Sequence, residues 1–238
     1  MIRNKSYSPS TVFIATVFMS IGVLFGCGET LKVNEVKENQ SENQTTLKEK
    51  EKTSHDVILC FGNSLTEGYG LKPEEAYPAL LQKKVDYPGY NYQVVNAGIS
   101  GETTAGGKNR LSWVLKENVK VFILELGAND GLRGIPLSET KQNLQEMIDT
   151  VKAKVPNAKI VLAGMQIPPN MGQEYTDEFK EIFPALADSN QIALIPFLLE
   201  GVAGDAKLNQ EDGIHPTAEG TKIVIENVWK VIEPLLLK

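Results

Sequence analysis

The sequence predicts an α/β fold, a three-layer α/β/α sandwich around a five-stranded, mainly parallel sheet, on three observations. Short β-branched apolar runs alternate with amphipathic segments from residue 56 onward, and alternation of that kind puts helices on both faces of a parallel sheet. Glycine, asparagine and serine cluster where the apolar runs end, as loops require. The 238 residues are 42% hydrophobic and 23% charged, enough for one packed core of ordinary size plus something extra.

Strands are expected at residues 57–61, 93–96, 121–126, 159–163 and 192–196, each short, β-branched and bounded by Gly, Asn or Pro. Between them the clearest helix carries Leu144, Met147, Ile148, Val151 and Val155 at helical spacing, with Ser138 as N-cap. The last helix carries Val224, Val228, Val231 and Ile232 behind Thr217 and ends near Pro234. Cys60 falls inside the first strand and reads as a small buried hydrophobe. His55, at the start of the folded portion, reads as a surface residue.

Composition excludes several functions. A formal net charge of −6 leaves nothing to neutralise phosphates, which argues against nucleic-acid binding. Two Cys and two His are too few for a Cys/His zinc or iron–sulfur centre, and two cysteines staple at most one loop. The charge falls in three zones: +2 over residues 1–27, −1 over 28–54 and −7 over the remainder. In the first zone Arg3 and Lys5 precede an uncharged apolar stretch of about 15 residues, the layout of a secretory signal and short of the ~20 needed to span a bilayer. The stretch ends in Leu24, Phe25, Gly26 and Cys27, which resembles the bacterial lipobox, whose cysteine is acylated. Residues 1–26 are therefore expected to be a lipoprotein signal peptide with Cys27 as the lipidation site. Residues 27–54, rich in Glu, Lys, Asn and Gln, read as a disordered tether with a reach of roughly 30 Å. Residues 55–238 form the folded domain, held at the cell envelope through lipidated Cys27.

In parallel α/β sheets ligands sit beyond the carboxyl ends of the strands. The loops predicted there carry Gly62-Asn63-Ser64, Gly98-Ile99-Ser100-Gly101, Gly127-Ala128-Asn129-Asp130 and Asp212-Gly213-Ile214-His215. A serine hydrolase needs a nucleophile, a base, an orienter for the base and oxyanion donors. Ser64 sits at a strand-to-helix junction, His215 is the only credible base, and Asp212 lies within one turn of it. Ser64 and Gly98 offer backbone amides and Asn129 a neutral side-chain donor for the oxyanion. No GxSxG elbow occurs, which disfavours the α/β-hydrolase fold.

The segments FGNSLTEGYG, NAGISGETT, LGAND and DGIHP, in this order, resemble the four blocks of the SGNH (GDSL-motif) hydrolases across nearly all of residues 56–238. More narrowly they are similar to the small bacterial thioesterase, lysophospholipase and arylesterase subgroup. The resemblance implies a flavodoxin-like arrangement and an ester- or thioester-cleaving serine hydrolase with no cofactor and no metal. It carries the family's Ser, Gly, Asn and His onto Ser64, Gly98, Asn129 and His215, and the triad acid onto Asp212. Asn63 departs from the pattern, since most members have Asp there; the amide keeps the local hydrogen bonding and loses a charge, so rate or pH optimum is where it should tell.

The loop after the fourth strand is long and apolar for a segment that should face water, and Met165, Ile167 and Met171 are expected to line an acyl groove on the Ser64 edge. The opposing expectation is that these residues fold onto the helix around Phe179 and Phe183. The substrate is thus a small-molecule ester or lipid. A cell-wall or oligosaccharide O-deacetylase, or a non-catalytic surface lipoprotein binding acyl chains or glycans, are the alternatives.

Overall fold

The computed structural model describes residues 55–236; the expected signal segment, the tether and Cys27 lie outside the described residues. Among the described residues five strands are present: β1 (Asp56–Gly62), β2 (Tyr92–Gly98), β3 (Val119–Glu125), β4 (Lys159–Ala163) and β5 (Ala193–Ile195). They lie in the order β2-β1-β3-β4-β5, and every pair is parallel. This is the expected sheet, with the flavodoxin-like strand order. β1, β3 and β4 are inside the sheet and almost wholly buried, which explains why they read as mainly apolar runs. The fifth strand is shorter than expected. It is an edge strand whose next residue, Pro196, has no amide to donate.

The helices are α1 (Ser64–Glu67), α2 (Tyr77–Asp86), α3 (Thr104–Val114), α4 (Ala128–Leu132), α5 (Leu137–Lys154), α6 (Gln173–Asn190) and α7 (Ala218–Ile232). α2 packs with α7, while α3 and α6 both pack with α5, so two helical layers enclose the sheet. The buried face of α5 is the predicted one, through Leu144, Met147, Ile148 and Val151. Its start is not: Ser138 lies inside the first turn, because Pro136 takes the N-cap place with φ −51 and its carbonyl already accepts from the Glu139 amide. Proline fixes a helical φ and lacks the amide that a helix start would leave unpaired, so the helix opens two residues early. Thr217 does cap α7, its hydroxyl accepting from the Gly220 amide at 3.2 Å.

Register sets up the site. Gly62 at the end of β1 stands level with Gly98 on β2 and with Glu125 on β3. The three strands therefore finish in one row, and the chain after each begins a loop or helix on the same edge.

Candidate active site

Ser64 is the first residue of α1, directly after β1, and is 9% exposed. Its neighbour Asn63 caps the helix, with Oδ1 accepting from the Leu65 amide at 3.0 Å. That cap turns the chain sharply and sets the serine hydroxyl on the open edge of the sheet. His215 reaches it from the loop before α7, with Nε2 2.8 Å from Ser64 Oγ. On the other side of the ring, Nδ1 lies 2.6 Å from Asp212 Oδ2. The remaining Asp212 oxygen accepts the amides of Ile214 at 2.9 Å and His215 at 3.0 Å. Partial desolvation pushes the Asp212 carboxyl up, but the His215 amide, the His215 ring and the Ile214 amide outweigh it and bring it down to about 2. The aspartate is thus ionised at neutral pH, so Nδ1 carries the ring proton and Nε2 is left to accept from the serine hydroxyl.

The imidazole is braced from outside as well. The Tyr69 ring lies 4.6 Å from the imidazole, tilted by 41°. Gln210 Nε2 donates to the Tyr69 carbonyl at 2.7 Å and to the Pro216 carbonyl at 3.0 Å, tying the histidine loop to the segment after α1. Tyr69 lies inside the FGNSLTEGYG block but was not singled out, and Gln210 lies outside every block, because neither belongs to a residue class that the chemistry demands.

The expectation for Gly98 is corrected by the structure. In a strand successive amides point to opposite sides. The Ile99 amide donates inward to the Gly62 carbonyl at 3.0 Å, so the Gly98 amide points to the free edge of β2, where Asn96 Oδ1 accepts it at 2.9 Å. Gly98 is a packing glycine instead: a Cβ there would lie 2.2 Å from the Glu67 amide nitrogen and 2.8 Å from the Asn63 carbonyl oxygen. Three residues on, Gly101 takes φ +75, and among the described residues its amide meets no acceptor. Its loop is stitched to Asn129, whose Nδ2 donates to the Glu102 carbonyl at 3.0 Å and keeps a second N–H to offer. The signal that could have separated the two glycines was strand periodicity, since Gly98 continues the run of β2 and Gly101 lies beyond it.

Met165 and Ile167 are buried, not exposed as the groove argument supposed, yet both line a cavity of about 560 Å³. Met171 does not line it and reaches toward Gly134. Ile167 and Phe179 both lie against Gly131, which sets Ile167 beside the helix that carries Phe179. Leu132, Phe197 and Leu199 add to the apolar wall, as do Leu65, Ala128 and Ile214, the chain neighbours of Ser64, Asn129 and His215 respectively. Cys60 is fully buried and burial pushes its thiol up to about 12, as befits a core residue. His55 is exposed and meets Asn91 Oδ1 at 2.6 Å, remote from the site. Among the described residues no group of three or more His, Cys, Asp or Glu side chains could hold a metal ion.

With this geometry in place, comparison with known proteins becomes specific. Residues 60–223 match the GDSL-like Lipase/Acylhydrolase family. The chain belongs to this family. It is 43% identical over 181 residues to "Esterase TesA" of Pseudomonas aeruginosa, covering 76% of this chain and 89% of that one. It is 37% identical over 182 residues to "Thioesterase 1/protease 1/lysophospholipase L1" of Escherichia coli K12, covering 76% and 85%. The solved structure described as "Crystal Structure of TesA" superposes with a TM-score of 0.72 at 42% identity, covering 76% of this chain and 99% of that one. Family and relatives together make this chain a serine-type hydrolase of the esterase and thioesterase class.

Proposed function

We propose that Ser64 is the nucleophile of an acyl-ester or acyl-thioester hydrolase whose acyl chain enters the cavity beside it. The observation that carries this reading is a shared boundary: one chain neighbour each of Ser64, Asn129 and His215, namely Leu65, Ala128 and Ile214, lines the cavity. An ester carbonyl at Ser64 Oγ would then direct its acyl group into apolar surroundings. His215 Nε2 takes the hydroxyl proton as the Ser64 oxygen bonds to the carbonyl carbon. The free amides of Ser64 and Gly101 and the second N–H of Asn129 receive the oxyanion. His215 passes its proton to the departing alcohol or thiol, and water, activated by the same histidine, releases the acid.

Hydrolysis of p-nitrophenyl esters of increasing acyl length tests the cavity. Each methylene buried there contributes up to ~0.8 kcal/mol, so kcat/KM should rise with length and then level off. Ile167→Asp should depress the longer esters far more than the acetyl ester. A flat profile in the wild type, or equal losses on both, would favour a short-chain deacetylase.

The proposal extends to location. The basic residues, apolar stretch and Leu24-to-Cys27 sequence support acylation of Cys27 and attachment to the cell envelope. Labelled fatty acid should enter the wild-type chain and not Cys27→Ser; incorporation into both rejects the lipid anchor.

A further inference from the structure

Glu125 ends β3 beneath the nucleophile and is 0% exposed. No cation reaches its carboxylate among the described residues. Its partners are neutral donors: the Asn63 amide at 3.0 Å and the Thr66 hydroxyl at 2.7 Å on Oε2, and Asn63 Nδ2 at 2.8 Å on Oε1. These bonds bracket Ser64 on both sides and leave Ser64 itself untouched. Asn63 in turn points its Oδ1 at the Leu65 amide, and at the Ser64 hydroxyl from 3.4 Å. Since that oxygen faces the amide, the NH₂ group must face Glu125, which fixes the orientation of the side chain. Four residues beyond Glu125 lies Asn129. One carboxylate therefore joins the loop bearing the nucleophile to the strand that delivers the oxyanion donor.

We propose that Glu125 is a positioning residue for Ser64, acting as a carboxylate through Asn63, and that the neutral amide at position 63 is what lets it act while ionised. This inference rests on the hydrolase reading above and adds to it. An aspartate at position 63 would set oxygen against oxygen at the 2.8 Å contact, and two carboxylates that close cannot both ionise. An asparagine supplies the hydrogen without the proton.

The other groups facing this carboxylate leave it without a counter-charge. Tyr77, on α2, stands 3.2 Å from the Thr66 hydroxyl, and burial raises its phenol well above the ordinary value. Cys60, on β1, hydrogen-bonds that phenol and is itself a neutral thiol at about 12. Arg110, on α3, donates to the Gly62 carbonyl at 3.4 Å, but its guanidinium is spent on Glu102 and lies over the Phe61 ring. Burial pushes Glu125 up, the Thr66 and Asn63 donors pull it back, and it settles at about 7.

The test compares Asn63→Asp and Glu125→Gln with the wild type, reading kcat and KM against pH and melting temperature beside them. In Asn63→Asp the pair keeps one proton, and the introduced carboxyl, while protonated, can still donate to Glu125. Turnover should be near wild type at about pH 6 and fall by roughly tenfold or more toward about pH 9, as the last shared proton leaves and the carboxylates repel. The wild type should lack that alkaline ionisation and instead lose turnover as pH falls through about 7, where Glu125 takes up its own proton. Glu125→Gln, which turns an NH₂ toward one of three donors, should lower kcat by about 10- to 100-fold with KM little changed. If Glu125→Gln fails to fold, the Asn63→Asp profile decides alone. Profiles for Asn63→Asp and wild type that superimpose, or a folded Glu125→Gln with wild-type kcat, overturn the proposal and leave the hydrolase reading standing. No hydrolysis by the wild type, or full activity in Ser64→Ala, would overturn both.

Discussion

Ser64 and His215 meet across 2.8 Å, yet their surroundings have little in common. Asn63, just before the serine, and Thr66, two residues after it, are 1% and 0% exposed and are fastened to a buried carboxylate on β3. The histidine stands on a surface loop. Its aspartate is more than a third exposed and is held by bonds to Ile214 and His215 within the same turn. Ser64 thus takes its position from the tertiary core, whereas the Asp–His pair is a local motif docked onto it through Gln210 and Tyr69. In the proposed mechanism Ser64 must stay put through two bond-forming steps while His215 moves a proton between two oxygens, and the deep and shallow anchors suit those tasks.

The largest effects break the comparison at its point of contact. Ser64→Ala and His215→Ala should each lower turnover by at least ~10³, and the double variant should lose no more than either alone, because the two act as one unit. Asp212→Ala should cost less, by about one to two orders of magnitude, since it removes the orienter and leaves nucleophile and base in place. Turnover of p-nitrophenyl acetate measures all four proteins. Additive losses in the double variant would mean that serine and histidine do not share a step.

The same contrast explains what could be read from the sequence. The Asp212–His215 pair is local, three residues apart in one loop, so its geometry followed from spacing. The sheet was legible because β1, β3 and β4 are largely buried on both faces and are dominated by apolar residues. Ser138 failed as a cap because propensity for Ser at that place lost to the backbone constraint of Pro136 two residues earlier. Gly98 was mistaken for a donor because a glycine's type says nothing about which way its amide points; only the alignment of β2 with β1 decides that. Glu125 was passed over for a related reason. It occupies a strand position where a charged residue breaks the apolar run, and its donors lie 59 and 62 residues away in sequence. Sites assembled from distant strands become visible only when the register is known.

The smallest predicted effect separates the two anchors by stability, because their carboxylates are displaced in opposite directions. Asp212 is lowered from 3.8 to about 2, so the stability it contributes is complete above about pH 3.8 and is lost as pH falls through about 2. Glu125 is raised from 4.5 to about 7, so the folded chain holds this proton where the unfolded chain has lost it. Its contribution is complete below about pH 4.5 and disappears as pH rises through about 7. Asp212 sits near the surface and solvent screens its share, leaving Glu125 to dominate any slope near neutrality. Denaturant unfolding at about pH 5 and about pH 8 should show the wild type losing on the order of 1–3 kcal/mol relative to Glu125→Gln across that interval. Parallel losses in the two proteins would show that Glu125 titrates as an ordinary carboxyl. A relative loss in the wild type would mean that the ionised carboxylate holding Ser64 in place is the form that costs the fold stability. An amide at position 63 in place of a second acid then keeps that cost to a single buried charge.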